Sequence, residues 1–116
     1  MSYDTTIELI SLALDASLMR QTAVANNIAN ANTPDYQPIE VNFEQQLTIA
    51  NPLATNRQAT EVSGNIKPFY QQREATSIDE QVALSVQNAT HYRALIKGLN
   101  QKFAIMKLAL QGNNQS

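Results

Sequence analysis

The sequence predicts a mainly α-helical protein. Two long terminal helices form an antiparallel, coiled-coil-like pair, and a central irregular segment has room for a short helix and a β-hairpin. Three observations predict this. Both ends carry apolar residues at helical spacing, each stretch opens on a capping signal, and the four prolines all fall between them, at Pro34, Pro38, Pro52 and Pro68. A chain of 116 residues suits one extended unit. Its expected segments are residues 1–32, 33–76 and 77–116.

In the first segment, Thr5-Thr6-Ile7-Glu8 reads as a capping box, in which a hydroxyl and a carboxylate satisfy the first free N–H groups. Ile7, Ile10, Leu14, Leu18, Ala25 and Ile28 then recur on one helical face. Gly and Pro are absent until Pro34, so the helix is expected over about Asp4 to Ala31, roughly 40 Å long. Its end is rich in asparagine, at Asn26, Asn27, Asn30 and Asn32. One reading is a polar helix end fraying into a loop. The other is a face that meets specific polar groups, because Asn26 and Asn30 share a side of the helix and a buried amide must find partners.

The middle is poorer in large apolar residues. Val41 to Ala50 has room for a short helix containing Phe43 and Leu47. Asn51 to Thr76 is polar and without a sustained period. It either holds a short hairpin around Ser63-Gly64-Asn65, flanked by Val62 and Ile66, or is disordered in the monomer.

The last segment opens on a second capping box, Ser77-Ile78-Asp79-Glu80, whose acids also suit the helix dipole. Val82, Ala89, Ile96, Phe103 and Leu110 are spaced by seven, and Ser85, Tyr92, Leu99 and Met106 fill a second series. That sustains a coiled-coil seam over about four heptads. Gly98 interrupts it at a cost of about 1 kcal/mol relative to Ala, and Gly112 is expected to end the helix.

Charge supports pairing of the two ends. All ten acidic residues lie at or before Glu80, and only Arg93, Lys97, Lys102 and Lys107 follow. Antiparallel packing sets this basic end beside Asp4 and Glu8. Apolar residues off the seam, such as Leu9, Leu12, Leu84, Leu95, Ile105 and Leu108, exceed what two helices can cover. The surplus predicts further helix partners and hence assembly.

Most chemistry is disfavoured. A net charge of −2 argues against nucleic-acid binding. The absence of cysteine removes thiolate metal sites, disulfides and thiol nucleophiles. The lone histidine, His91, has no neighbouring acid in sequence and reads as solvent-facing or interfacial. Glu40 and Glu44 lie one turn apart and read as a solvated face. No Gly-rich phosphate loop occurs. No catalytic residue, metal, cofactor or small-molecule substrate is expected. No apolar run approaches a bilayer span and no cleavable leader is evident, so export is expected to proceed without cleavage.

The stretch Ala23-Val24-Ala25-Asn26-Asn27-Ile28-Ala29-Asn30-Ala31-Asn32-Thr33-Pro34-Asp35-Tyr36 resembles the N-terminal signature of bacterial flagellar rod, hook and hook-associated axial proteins. Asp35 stands where glycine is usual, which leaves this turn less free to take positive φ. The short chain, the segment Val41 to Leu47, and the end from Gln87 to Gly112 look most like the proximal rod protein at the base of the rod. The resemblance covers both terminal helices. An Asp-Gly-Asn segment common in the family is replaced by Arg73-Glu74-Ala75-Thr76.

The resemblance implies a structural subunit of the basal-body proximal rod, a periplasmic drive shaft carrying torque from motor to hook. It implies type III export and helical polymerisation through the terminal helices. The implied partners are self, other rod subunits, the basal adaptor, and the inner-membrane ring and export gate. The interface is then expected at Ile7, Ile10, Leu14, Leu18, Ala25, Asn26, Asn27, Ile28, Asn30, Asn32, Pro34 and Tyr36 in the first half. In the second it is expected at Val82, Ala89, Tyr92, Ile96, Leu99, Phe103, Met106 and Leu110. Two other readings compete: another axial rod subunit, and a small helical adaptor or export chaperone. The latter predicts a compact, ordered dimer.

Overall fold

The computed structural model describes residues 3–50 and 66–115. In chain order it has helix α1 (Tyr3–Ala29), strand β1 (Ile39–Asn42), helix α2 (Glu44–Ala50), strand β2 (Phe69–Gln72) and helix α3 (Ile78–Gln115). The molecule is elongated, 66 × 28 × 19 Å. The 38 residues of α3 set the long axis, since at 1.5 Å per residue they span about 57 Å.

Helix α1 is described from Tyr3, so Thr5, expected to cap it, lies within its first described turn. It stops at Ala29, two residues before the expected Ala31, because Asn30 closes it. The Asn30 backbone N–H and side-chain Nδ2 both donate to the Asn26 carbonyl, at 3.0 and 2.9 Å. The Ala31 N–H donates to Ile28 O at 3.2 Å, a tighter final turn. The chain then reverses through Thr33-Pro34-Asp35-Tyr36, where Tyr36 N–H donates to Thr33 O at 3.3 Å. Pro34 supplies the fixed φ of the second position, and Asp35 takes a φ of 62°. The turn therefore adopts positive φ without glycine, since a short polar side chain tolerates this region better than most.

β1 and β2 pair antiparallel, with Ile39 opposite Gln72 and Asn42 opposite Phe69. β1 occupies the start of the stretch expected to be helical, and the short helix begins at Glu44 instead of Val41. Val41 and Phe43 point inward from this extended segment and are both buried. The hairpin expected around Ser63-Gly64-Asn65 lies outside the described residues; its flank Ile66 is not in a strand and packs on the core.

That core is small. Phe43, 2% exposed, sits with Ala16 and Val41, and Leu12, Ala13, Met19, Leu47 and Ile66 pack around them. Burial of a phenylalanine contributes about 2–3 kcal/mol, so Phe43 anchors the strand–helix unit onto α1. Gln46 holds the incoming β2 strand: its Nε2 donates to Lys67 O at 2.7 Å and its Oε1 accepts from Lys67 N–H at 3.2 Å.

Helix α3 opens as expected, with Ser77 Oγ accepting from Glu80 N–H at 3.1 Å. It does not end at Gly112 but runs through it to Gln115. Neither described glycine has positive φ, and nothing lies within 4 Å of a side chain built at Gly112, so no packing or turn stops the helix there. Among the described residues, no helix is long and apolar enough to cross a membrane.

Candidate assembly interface

The two long helices run antiparallel, as their cross-links show. Ser17 Oγ donates to Asn88 Oδ1 at 3.0 Å, and Asn88 Nδ2 donates to Ser17 O at 2.8 Å and to Gln21 Oε1 at 3.1 Å. Gln21 Nε2 donates to Ser85 Oγ at 2.8 Å, and Asn27 Nδ2 to Gln81 Oε1 at 3.2 Å. As α1 advances through 17, 21 and 27, α3 retreats through 88, 85 and 81. The seam between these halves is thus a ladder of amides and hydroxyls. Directional groups fix register more tightly than interchangeable apolar contacts, as a single buried asparagine does in a coiled coil.

Asn27 lies at the end of the ladder and is 6% exposed. Its Nδ2 donates to Ile39 O at 2.8 Å and to Gln81, while its Oδ1 accepts from Ile39 N–H at 3.0 Å and Tyr36 Oη at 2.9 Å. Two donors and two acceptors are the full capacity of the amide. Gln81, also buried, passes the network on by donating from Nε2 to Thr76 Oγ1 at 2.6 Å. Asn27 was expected to face neighbouring subunits; the structure uses its amide inside the chain, to tie α1, the turn, β1 and α3 together. Tyr36 is half-buried in the same network. Asn30, also half-buried, caps α1 and accepts from Thr33 Oγ1 at 3.1 Å. Substitution of either Asn27 or Asn30 therefore acts on the fold first.

The heptad on α3 has a different frame from the expected one. Residues 81, 85, 88, 92, 95, 99, 102 and 106, spaced alternately by four and three, are all buried or half-buried. Ser85, Tyr92, Leu99 and Met106 lie on this face as expected. Their companions are Gln81, Asn88, Leu95 and Lys102, one residue before the apolar series. Val82, Phe103 and Leu110 are 48, 48 and 62% exposed, with Ala89 and Ile96 half-buried between them. The apolar series forms a stripe on the flank of α3. Apolar periodicity could not reveal this, because the residues that meet α1 in this region are polar.

On α1, Ile7, Ile10, Leu14 and Ile28 are half-buried, whereas Leu18 and Ala25 are exposed. Asn26, Asn32 and Pro34 are exposed at the helix end and turn. The exposed members are open to a partner, and the half-buried ones are partly covered within the chain.

Sequence reasoning also missed a charged cleft of about 400 Å³ between α1, β1 and α3. Arg20 makes a two-pronged ion pair with Glu44, including Nη1 to Oε2 at 3.1 Å, and its Nη2 reaches Val41 O at 3.4 Å. Arg73 Nη1 lies 3.9 Å from Glu40 Oε1. Burial opposes ionisation of Glu44, but hydrogen bonds from Arg20 and its own backbone N–H, with the charges of Arg20 and His91, outweigh it and lower the pKa. Glu40 and Glu44 remain solvated, as expected, and each also pairs with an arginine distant in sequence. His91 lines the cleft and is exposed. Among the described residues, no group of three His, Cys, Asp or Glu is placed to hold a metal ion.

A rigid helix pair, a polar clasp at one end and an outward apolar stripe define a structural subunit built to pack against further helices. Known proteins agree. Residues 11–37 match the model of the flagella basal body rod protein family. The chain is 27% identical to the flagellar basal body rod protein FlgB of Bacillus subtilis (strain 168), over 95% of this chain and 96% of that protein. It is 36% identical to FlgB of Borrelia hermsii over 47% of this chain and 42% of that protein. The chain is thus similar to flagellar basal-body rod proteins, through the family match across the N-terminal helix and turn and through FlgB along nearly its whole length.

Proposed function

We infer that this chain is a structural subunit of the bacterial flagellar proximal rod, the basal part of the shaft that carries torque from motor to hook. Similarity to FlgB over nearly the full length of both chains supports that position. The observation that carries the reading in the structure is the outward heptad stripe on α3, which the chain's own α1 does not cover. A shaft under torsion needs subunits that keep their shape, and the Asn27 network holds the two helices in one register.

The subunit works with other rod subunits as its partners. Its place at the proximal end puts it beside the basal adaptor, the inner-membrane ring and the export gate, and it reaches the periplasm through the type III route. It carries out no catalysis. His91 approaches a carboxylate already held by Arg20, which leaves no base and nucleophile arranged for chemistry among the described residues.

The test is a strain lacking the gene, complemented with a tagged copy. The tag is expected in purified basal bodies, and the deletion is expected to stop the rod from forming. A tag found only in a soluble complex with another axial protein would favour the chaperone reading.

A further inference from the structure

We propose that the free edge of β2 takes up an extended segment of a different protein as a third strand, a segment with carboxylates at its ends. This surface lies on the small sheet and not on the long helices, and it is independent of the chain's place in the rod.

The direction of each backbone group in β2 follows from the bonds around it. In an antiparallel pair, consecutive residues turn their N–H and C=O groups alternately toward the partner strand and away from it. Arg73 N–H donates to Pro38 O at 3.0 Å, and Arg73 O accepts from Gln37 Nε2 at 2.8 Å. The N–H and C=O of Lys67 both meet the Gln46 side chain on the same inner side. Phe69 opposite Asn42 and Gln71 opposite Glu40 are therefore the bonded pairs. The same alternation leaves Ile39 free to bind Asn27, and Val41 O to receive Arg20.

Tyr70 and Gln72, opposite Val41 and Ile39, turn their N–H and C=O groups outward. Among the described residues, nothing bonds to them. The outer edge of β1 is thus covered by Asn27 and Arg20, whereas that of β2 is open. Phe69 and Tyr70 beside it are 48 and 43% exposed, and Gln72 is exposed. Such an edge is a template for another strand, and main-chain pairing along it is a recurring mode of peptide recognition. Phe69 and Tyr70 project to opposite faces of the sheet. An incoming strand therefore meets an aromatic ring on each face, and pairs of aromatic and β-branched residues across strands are favourable.

Charge decides which strand fits. Lys67 and Arg73 bracket β2 with no acid between them. By the period of two of an extended chain, both fall on the face of Phe69 and Gln71. Glu40 lies 3.9 Å from Arg73 on the inner side, and no described acid pairs with Lys67. With most of β2 overlapped, antiparallel pairing of two copies sets Arg73 of each opposite or diagonal to Lys67 of the other, and these like charges repel. A strand ending in Asp or Glu meets the same cations with the opposite sign, which favours a different chain over a second copy.

The probes are short synthetic peptides of alternating Val and Thr with blocked ends. One ends in Asp on both sides, one in Lys on both sides, and one is the Asp peptide with all its amides N-methylated. Each is added to the purified full-length chain, and hydrogen exchange is read at single amides. In the free chain the N–H groups of Phe69, Gln71 and Arg73 are expected to exchange slowly and those of Tyr70 and Gln72 fast. The Asp peptide is expected to slow Tyr70 and Gln72 at least tenfold and to leave α1 and α3 unchanged. The Lys peptide is expected to bind about tenfold more weakly, and the methylated peptide, without donors, not at all. Gln72→Pro removes an outward N–H and no bond to β1, as an edge strand tolerates. It is expected to lose the Asp peptide at an unchanged unfolding midpoint; if this variant unfolds, the methylated peptide decides alone. No binding of the Asp peptide at about 1 mM, or equal binding of the Lys or methylated peptide, would overturn the proposal. So would slowing of Tyr70 and Gln72 that grows with the concentration of the chain alone. Recovery of the chain in basal bodies is scored separately, so failure here leaves the rod reading standing.

Discussion

Asn27 Nδ2 lies 3.2 Å from Gln81 Oε1, which joins the last turns of α1 to the first turn of α3 through two buried amides 54 positions apart in the chain. The same asparagine holds the Tyr36 hydroxyl and both polar groups of the Ile39 backbone. Removing its amide leaves several buried groups without partners, each worth about 1–3 kcal/mol. Asn27→Ala is expected to destabilise the chain by about 3 kcal/mol in urea unfolding, and Tyr36→Phe by about 1 kcal/mol. A double-mutant cycle between Asn27→Ala and Gln81→Ala should show coupling above about 0.5 kcal/mol. Additive effects would mean that the two amides act independently.

Gly98 sits mid-helix with open space where a side chain would be. Gly98→Ala is expected to stabilise α3 by about 1 kcal/mol and to raise helicity by circular dichroism. Ser77→Ala, which removes the hydroxyl that accepts from Glu80 N–H, is expected to cost about 1 kcal/mol. A loss of stability in Gly98→Ala would show that this surface is already occupied.

Asp35 holds a φ of 62°. Asp35→Gly relieves the steric cost but adds unfolded-state entropy, so a change within about 1 kcal/mol is expected. Asp35→Val, whose branched side chain fits this region poorly, is expected to cost about 2 kcal/mol or more. Equal midpoints for Asp35→Val and wild type would contradict the turn geometry.

The lowered pKa of Glu44 has a direction in stability. A carboxyl with a folded pKa below its unfolded value, about 4.3, stabilises the fold above that value. The contribution disappears as pH falls through the folded pKa. Unfolding midpoints are expected to be flat from about pH 7 to 5 and to fall below about pH 4. Glu44→Gln, lacking the charge that pairs with Arg20, should start lower and fall less steeply. Superimposable profiles would show that the pair contributes nothing.

The helical ends and the family signature were legible because helix signals are local: period, caps and prolines lie within a few residues of what they determine. A central hairpin was expected, but its strands were not legible, since Gln71 Nε2 donates to Glu40 Oε2 across 31 positions and the turn signal at Ser63-Gly64-Asn65 does not name these partners. The heptad frame was misread for a related reason. Counting apolar residues selects Val82 and Phe103, whereas Asn88 and Gln81 make the contacts with α1. Arg20 and Glu44 likewise pair across 24 positions, which no local pattern encodes.

The central claim is that the outward stripe of α3 serves assembly and not the fold of the single chain. The direct measurement compares Val82→Asp with Phe103→Asp, both at exposed positions, for unfolding midpoint in vitro and for rod formation in basal bodies from cells lacking the native gene. The account predicts wild-type midpoints within about 0.5 kcal/mol, normal protein levels and no completed rod. Normal rods and full motility in both variants would contradict it.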